Sequence, residues 1–393
     1  MPEKVFSGRM DFIPFSGIRK VFEEVNAREK RGEEIIHLEI GRPDFDTPAH
    51  IKEEAKRALD RGAVHYTSNW GELELRKAIA RKLRIDNGII VDPSDEIIVT
   101  VGTNEAVFMA MMALLDPMDE VLVPDPCWFH YLYCVEMAGA RSVSVPLKEN
   151  YGFRLKVEDL ESFVTSKTKM LVLNTPHNPT GVVIGTKDLE AIAQFAKRHD
   201  LYVLADEIYE KMVYGNARHK SIASFPGMKE RTITVNGFSK IYAMTGWRLG
   251  YAVADRTLMK GLIRIHQYTT VCPCSFAQWG GVAALNGSQK EAEEMVAEFD
   301  RRRKLVSQVL RETHGISFVE PQGAFYVFPN IRAFKMTSEE MARYLLEEAK
   351  AAVVPGNVFG KYGEGHIRIS YANSYENLKK AVINIRKALE KLT

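Results

Sequence analysis

The strongest constraint on the fold of this chain is an alternation through its middle: short, almost wholly apolar, β-branched runs separated by amphipathic stretches. Candidate strands fall at 97–101, 121–124, 142–145, 170–173, 202–205, 232–235 and 249–253. Several lack polar alternate positions, so neither face suits water, as in a parallel sheet covered on both sides. Between them lie helical patterns such as 187–198, where Leu189, Ile192, Ala193 and Ala196 share one face. The layout predicts an α/β domain whose mostly parallel seven-stranded sheet is flanked by helices.

From about Ser288 the texture changes. A long charged amphipathic helix is expected over 289–311, then a strand over 324–328, a helix over 338–349 and a short strand over 366–370. That order suits a smaller α+β domain. The stretch 18–41 is expected to pack against it, with Gly41-Arg42-Pro43 as the crossing point, so both chain ends build the smaller domain. The expected division is an N-terminal segment over 1–45, a large domain over 46–287 and a small domain over 288–393.

Charge and cysteine content exclude several classes. The 53 basic and 51 acidic residues leave a formal net charge of +2, interspersed rather than blocked, so there is no electrostatic footprint for nucleic acid. The longest apolar run, 107–115, is far short of a bilayer span. Residues 1–15 carry charges throughout and lack a signal peptide's apolar stretch. Cys127, Cys134, Cys272 and Cys274 lack zinc-site spacing, and a chain this long without a secretion signal is not expected to need disulfides. Cys272-Pro-Cys274 reads as two buried thiols near a bend, and the Asn286-Gly-Ser sequon as inert. A soluble cytoplasmic protein with no nucleic-acid or membrane partner is expected.

In an open α/β sheet, ligands sit beyond the carboxyl ends of the strands. After 170–173 comes Asn174-Thr-Pro-His-Asn178-Pro179-Thr180-Gly181, and after 202–205 comes Asp206-Glu207-Ile208-Tyr209. The run 232–235 is followed by Asn236-Gly237-Phe238-Ser239-Lys240 and then Thr245-Gly246-Trp247-Arg248. Gly102-Thr103-Asn104-Glu105-Ala106 follows 97–101, and Asp125-Pro126-Cys127-Trp128 follows 121–124. Five strand ends thus deliver polar or aromatic groups to one edge. Taken singly, each has a plainer reading. Lys240 alone is a snorkelling surface lysine, Asp206 a helix N-cap, Asn178 a turn residue before proline, Tyr209 a half-buried tyrosine and Trp128 a core tryptophan.

Taken together and in this order, the motifs resemble the class I aminotransferases of fold type I, the aspartate aminotransferase family. Asn178-Pro-Thr-Gly181, then Asp206-Glu-x-Tyr209, then Ser239-Lys240 with an arginine eight residues on is a specific ordered set, and the matches run from Pro43-Asp44-Phe45 to Arg368. The resemblance implies pyridoxal 5'-phosphate, held by Lys240 as a Schiff base. A lysine must be neutral to attack an aldehyde, and a pocket that disfavours its charge keeps it so. Asp206 would pair with the protonated ring nitrogen, on which the electron sink depends. Tyr209 and Asn178 would hold the ring's phenolic oxygen, and Trp128 would stack on its face. The phosphate would meet Arg248, a planar fork suited to it, together with Ser239 and the Gly102-Thr103-Asn104 turn at a helix start. Gly237 departs from the animal-type pattern, which carries a phosphate-binding serine there. Arg368, in the apolar strand 366–370, would bind the substrate carboxylate with the Gly41 backbone. A guanidinium in such a strand is costly without a partner. Tyr66 matches the tyrosine that the family lends to the partner subunit's phosphate, which implies a homodimer with shared active sites.

The implied activity is transfer of an amino group from an L-amino acid to a 2-oxo acid, 2-oxoglutarate above all. Carbon–sulfur lyases and cyclopropane-carboxylate synthases share the fold and cofactor, and fold alone does not fix function. A non-enzymatic sensor would need an attached DNA-binding module, for which the chain has no spare domain. Side-chain specificity is less legible. The stretch 268–278, expected to reach a neighbouring site, holds no arginine for a second carboxylate, whereas Phe15, Ile18 and Trp70 would suit an apolar or aromatic side chain. Aspartate and aromatic amino acids are the expected donors.

Overall fold

The computed structural model describes residues 6–392. Residues 1–5, the start of the expected N-terminal segment and of the stretch read for a signal peptide, lie outside the described residues, as does residue 393. All seven central runs form strands: β1 (Ile97–Thr100), β2 (Glu120–Asp125), β3 (Arg141–Pro146), β4 (Thr168–Asn174), β5 (Tyr202–Asp206), β6 (Thr232–Gly237) and β7 (Gly250–Val253). They make one sheet in the order β1-β7-β6-β5-β4-β2-β3. Only β7 runs against its neighbours; the other pairings are parallel.

The apolar texture of these strands explains the layers. Successive side chains point to opposite faces, so Met170 and Val172 of β4 join one core while Leu171 and Leu173 join the other. Met109 and Ala110 of helix Thr103–Leu114 and Leu262 of helix Arg256–Thr269 cover the first face. Leu189, Ile192 and Phe195 of helix Thr186–Arg198 cover the second.

A separate core gathers Phe299 of helix Lys290–Arg311, Leu345 of helix Ser338–Glu348 and Ile385 of helix Tyr375–Glu390. Three short antiparallel strands, β8 (Tyr326–Val327), β9 (Val354–Pro355) and β10 (Ile367–Ser370), lie beside it in the order β9-β10-β8. The run expected as a strand over 324–328 is only two residues long, because Ala324 takes φ +57°, in the left-handed region that breaks an extended chain. The N-terminal stretch enters this core directly. Ile36–His37 pairs in parallel with Ala351–Ala352, and Leu38 is fully buried.

One expectation needs correcting. Cys272 is only half-buried and Cys274 is exposed, not buried: Cys274 stands at the N-cap position just outside helix Ser275–Asn286, and its side chain makes no capping bond there. Among the described residues, no helix is long and apolar enough to cross a membrane.

Leu38 ties the N-terminal stretch to the second core through packing and through backbone bonds to Ala352 and Ser370. Leu38→Ala should therefore destabilise the protein by roughly 2–5 kcal/mol, the usual range for a buried leucine truncated to a cavity. The check is a denaturant midpoint that falls without a change in slope.

Candidate active site

The carboxyl ends of β4 and β5 lie side by side, with Asn174 opposite Asp206 in register. Asp206 is buried, and Tyr131 Oη donates to its Oδ2 at 2.7 Å while the Ile208 N–H donates to Oδ1 at 3.1 Å. The turn-capping reading and the ligand reading of this aspartate are thus compatible. Burial pushes its carboxyl up to about 6, against the pull of the Tyr131 and Ile208 bonds and the charge of Lys240.

Lys240 follows β6 and points its Nζ at the Gly41 carbonyl, 2.6 Å away. The ammonium stands 5.8 Å from the Tyr209 ring centre and 5.7 Å from that of Phe325. Loss of water around it lowers its pKa to about 8, with the positive charges of Arg368 and Arg248 acting in the same sense and Asp206 opposing. Gly41 must lack a side chain here, since a Cβ would sit 2.3 Å from the Tyr326 hydroxyl. That hydroxyl in turn meets Tyr209 Oη at 2.9 Å.

Arg368 projects from β10 and is 1 % exposed. Its Nη1 donates to Asn178 Oδ1 at 3.2 Å and its Nη2 to the Glu39 carbonyl, while Nε has no partner among the described residues. The Tyr326 and Phe359 rings flank the guanidinium at 4.4 and 4.9 Å. No described carboxylate pairs with it. A buried guanidinium in that state calls for an anion from outside the chain.

A second anion cradle lies where the backbone approaches itself closely. Gly102, at φ +75°, begins helix Thr103–Leu114 with no side-chain cap, leaving the first backbone N–H groups free to bind. A Cβ on Gly250 would lie 2.8 Å from the Gly102 carbonyl carbon, and one on Gly237 would lie 3.0 Å from Gly250 Cα. The glycine at 237 therefore has a packing reason: a serine there would press β6 against β7. Arg248, held at φ +52°, brings Nη2 to within 2.5 Å of where a Gly102 Cβ would be. Helix start and guanidinium face the same space.

All of this surrounds one cavity of about 410 Å³. From the expected set, Gly41, Asp206, Tyr209 and Lys240 line it; so do Asn178 and Arg368 on the carboxylate side and Thr103, Asn104, Ser239 and Arg248 around the cradle, with Trp128 also in the wall. Gly102 stands behind Arg248 at the rim. Tyr66 is not brought to this cavity and is 87 % exposed. Ile18 reaches the cavity, but Phe15 is exposed and Trp70 packs against the core of the sheet. Sequence reasoning missed Tyr131, Tyr326, Arg19, Phe22 and Thr245, which also line it. Tyr131 sits three residues after Trp128, in the helix after β2, and that spacing was its only signal. Tyr326 was legible only as part of a strand.

An amine of lowered proton affinity, a buried carboxylate beside it and a cradle for a phosphate define an enzyme built around a carbonyl cofactor such as pyridoxal 5'-phosphate. The chain belongs to the class I and II aminotransferases, whose family model matches residues 33–385. It is 50% identical over 391 residues to an aspartate aminotransferase of Pyrococcus abyssi, covering 98% of this chain and 99% of that one. It is 47% identical to aromatic-amino-acid aminotransferase 2 of Thermococcus litoralis, covering 98% of each chain. The solved structure of Thermus thermophilus aspartate aminotransferase with maleate superposes with a TM-score of 0.94 at 39% identity, covering 98% of this chain and 100% of that one. The protein is a pyridoxal-phosphate-dependent transaminase, and the lowered lysine, the buried carboxylate, the unpaired guanidinium of Arg368 and the uncapped helix start beside Arg248 are groups that such a cofactor and its substrate could use.

The neutral amine is the nucleophile, so the covalent uptake of pyridoxal 5'-phosphate by cofactor-free protein should follow the depressed lysine. Its rate should rise with pH and level off above about 8. A rate still climbing at 10.5, the ordinary lysine value, would contradict the desolvated environment described for Lys240.

Proposed function

We propose that this enzyme moves the amino group of aspartate or an aromatic L-amino acid to 2-oxoglutarate, in two half-reactions at one site, as a cytoplasmic homodimer. The large domain would span 46–287 and the small one 288–393, with residues 1–45 packed on the latter. The observation that carries the reading is Arg368, buried without a counter-carboxylate beside the cavity into which Lys240 opens.

When bound, pyridoxal 5'-phosphate supplies an aldehyde that condenses with amines and a ring that draws off the electron pair left at Cα. The protein's own groups do the rest. Arg368 takes the substrate's α-carboxylate as a bidentate pair and so fixes the orientation of the Cα–H bond. Lys240 Nζ takes the proton from Cα and returns one to the adjacent carbon, and a pKa of about 8 suits an amine that must do both near neutrality. Asp206 would hold a proton at the ring nitrogen, while Tyr131 keeps that carboxylate oriented. Asn178 and Tyr209 would hold the ring oxygen, and Trp128 would offer its face to the ring. Gly102, Thr103, Asn104, Ser239 and Arg248 would hold the phosphate. Tyr66 would complete the phosphate site of the partner subunit. Its exposure supports this, as does that of Tyr268, 86 % exposed, in the segment expected to reach the neighbouring site.

Two further arginines bear on the donor. Arg19, in helix Gly17–Glu29, and Arg42 both line the cavity, and neither forms an ion pair with any described residue. Once Arg248 faces the phosphate and Arg368 the α-carboxylate, they remain for a second carboxylate. Ile18 and Phe22 line the same wall, and the Arg19 guanidinium lies 5.9 Å from the Phe22 ring centre. An aromatic side chain can rest on this wall where a carboxylate would meet Arg19. The two relatives at nearly equal identity, one named for aspartate and one for aromatic amino acids, agree with a site of double character.

The test is the visible spectrum of the holoenzyme as amino acids are added one at a time without any oxo acid. Loss of the cofactor's band with aspartate or tyrosine, and its return on adding 2-oxoglutarate, are the expected results. A band that returns unaided while pyruvate accumulates would point to a lyase and sink the proposal. Lys240→Ala should retain its fold and lose turnover. Arg19→Ala should raise KM for aspartate and 2-oxoglutarate about tenfold, the equivalent of about 1.4 kcal/mol, with little change for tyrosine. Equal losses for both donors would remove Arg19 from substrate recognition.

A further inference from the structure

Behind the turn that carries Asp206 and Tyr209 lies a buried group of charges that no step above uses. Glu207 and Glu210 belong to the same turn but bind away from the cavity. Glu207 Oε2 stands 3.2 Å from His219 Nε2 and accepts from Asn87 Nδ2 at 3.3 Å. Glu210 accepts from Asn87 Nδ2 at 2.7 Å and from Lys82. Lys82 also donates to Asn87 Oδ1 at 2.7 Å. The Glu207 side chain is 1 % exposed, those of Glu210 and His219 are 8 %, and that of Lys82 is 11 %.

The local fold explains how these side chains meet. Helix Leu73–Lys82 runs into a π-turn over Leu83–Asn87. A π-turn closes i to i+5 instead of i to i+4, which swings Asn87 back toward Lys82. On the other side, the Glu207 N–H is tied to the Val235 carbonyl at 2.9 Å and the Glu210 N–H to the Glu207 carbonyl at 2.9 Å. The turn is thus held from behind by its glutamates and offers Asp206 and Tyr209 in front.

Charge balance makes the group more than a clamp. Two carboxylates face one ammonium, so the set is neutral only with His219 protonated. Burial works against that proton, but Glu207 and then Glu210 outweigh it and Lys82 opposes more weakly, so the imidazole's pKa is raised. Glu207, Glu210 and His219 also stand at a spacing that a metal ion could use, but Lys82 already supplies positive charge there. Tyr242 and Tyr251 also face the set, both phenols held above their ordinary value by burial first and then by Glu210, and the Asp86–Lys211 ion pair lies beside them.

We propose that Glu207 and His219 are positioning residues for transamination: they anchor the Asp206–Tyr209 turn and set the net charge behind Asp206. The Glu207 carboxylate favours protons on the cofactor-facing side of the turn, and protonated His219 limits that effect. The two residues therefore act with opposite sign at the same place, although both stabilise the turn. The effect of Glu207 on the Asp206 carboxyl is in the upward sense required.

The opposite signs decide the test, which uses the holoenzyme without substrate and so does not depend on which donor is physiological. The readout is the pH midpoint of the cofactor's visible band, with thermal unfolding recorded alongside. Glu207→Gln should lower the midpoint and His219→Gln should raise it, each by about half a pH unit or more, the order expected when one buried charge behind the Asp206 turn is removed. The double variant should return close to the parent, and kcat should fall in both single variants by more than KM changes. Should His219→Gln fail to fold, the downward shift in Glu207→Gln still decides. Shifts of the same sign, or a lowered unfolding temperature with an unmoved band, would overturn the proposal and leave the cluster a structural clamp. The inference rests on the role given to Asp206, so Asp206→Asn is measured in parallel. If that variant moves the band and Glu207→Gln does not, the cluster proposal alone fails; if Asp206→Asn leaves the band unmoved, both fail.

Discussion

Removal of Lys240 and Asp206 from water within one cavity is the condition on which the rest of this active site depends. Desolvation acts on the two in opposite senses, lowering the lysine to about 8 and raising the carboxyl to about 6. In water the two ordinary values lie more than six units apart; in this cavity they are drawn together. A proton can then be handed between groups near them at neutral pH without a large penalty in either direction. The neighbouring arginines sharpen the effect on Lys240, because Arg368 and Arg248 add positive charge that Asp206 only partly offsets.

Two separate cores are needed to create that condition. The seven-stranded sheet, apolar on both faces, fixes Asp206, Lys240 and Asn178 at adjacent strand ends. The second core supplies Arg368 from β10 and Tyr326 from β8, and the N-terminal stretch adds the Gly41 carbonyl. Glycines mark the places where these parts come closest. At Gly41 a methyl group would strike the Tyr326 hydroxyl, and at Gly250 it would strike the turn that begins helix Thr103–Leu114. The cavity is therefore a junction whose dimensions are set by backbone approach, with side chains filling in the chemistry.

Much of this was legible beforehand, for identifiable reasons. The strands were visible because a sheet buried on both faces leaves apolar runs that no surface helix would carry. Lys240, Asp206 and Asn178 were visible because they closely follow those runs, and strand ends are where such folds bind ligands; Arg248 was visible from its place in the ordered motif set. Other parts left weaker marks. Tyr131 bonds to Asp206 across 75 residues of sequence, and Tyr326 meets Tyr209 across 117. Nothing in the local pattern around either tyrosine distinguishes it from a core aromatic. The exposed Cys274 left no mark either, because a thiol before an apolar helix resembles a buried one, whereas this one sits at the N-cap position, one residue outside the buried part of the helix.

By itself, then, the sequence determined the α/β sheet and, through its ordered motifs, the family to which the chain belongs. These are encoded locally, in runs of a few residues whose periodicity and spacing are independent of what folds around them. The tertiary structure alone decided which groups share the cavity from distant segments. It seats Arg368 beside Asn178, brings Arg19 to the cavity wall, and closes the charge cluster of Lys82, Asn87, Glu207, Glu210 and His219 behind the catalytic turn. Burial, close approach and charge pairing are properties of the packed chain, and pKa values follow from them. No local pattern of residues carries that information, because the groups that perturb one another are neighbours only after folding.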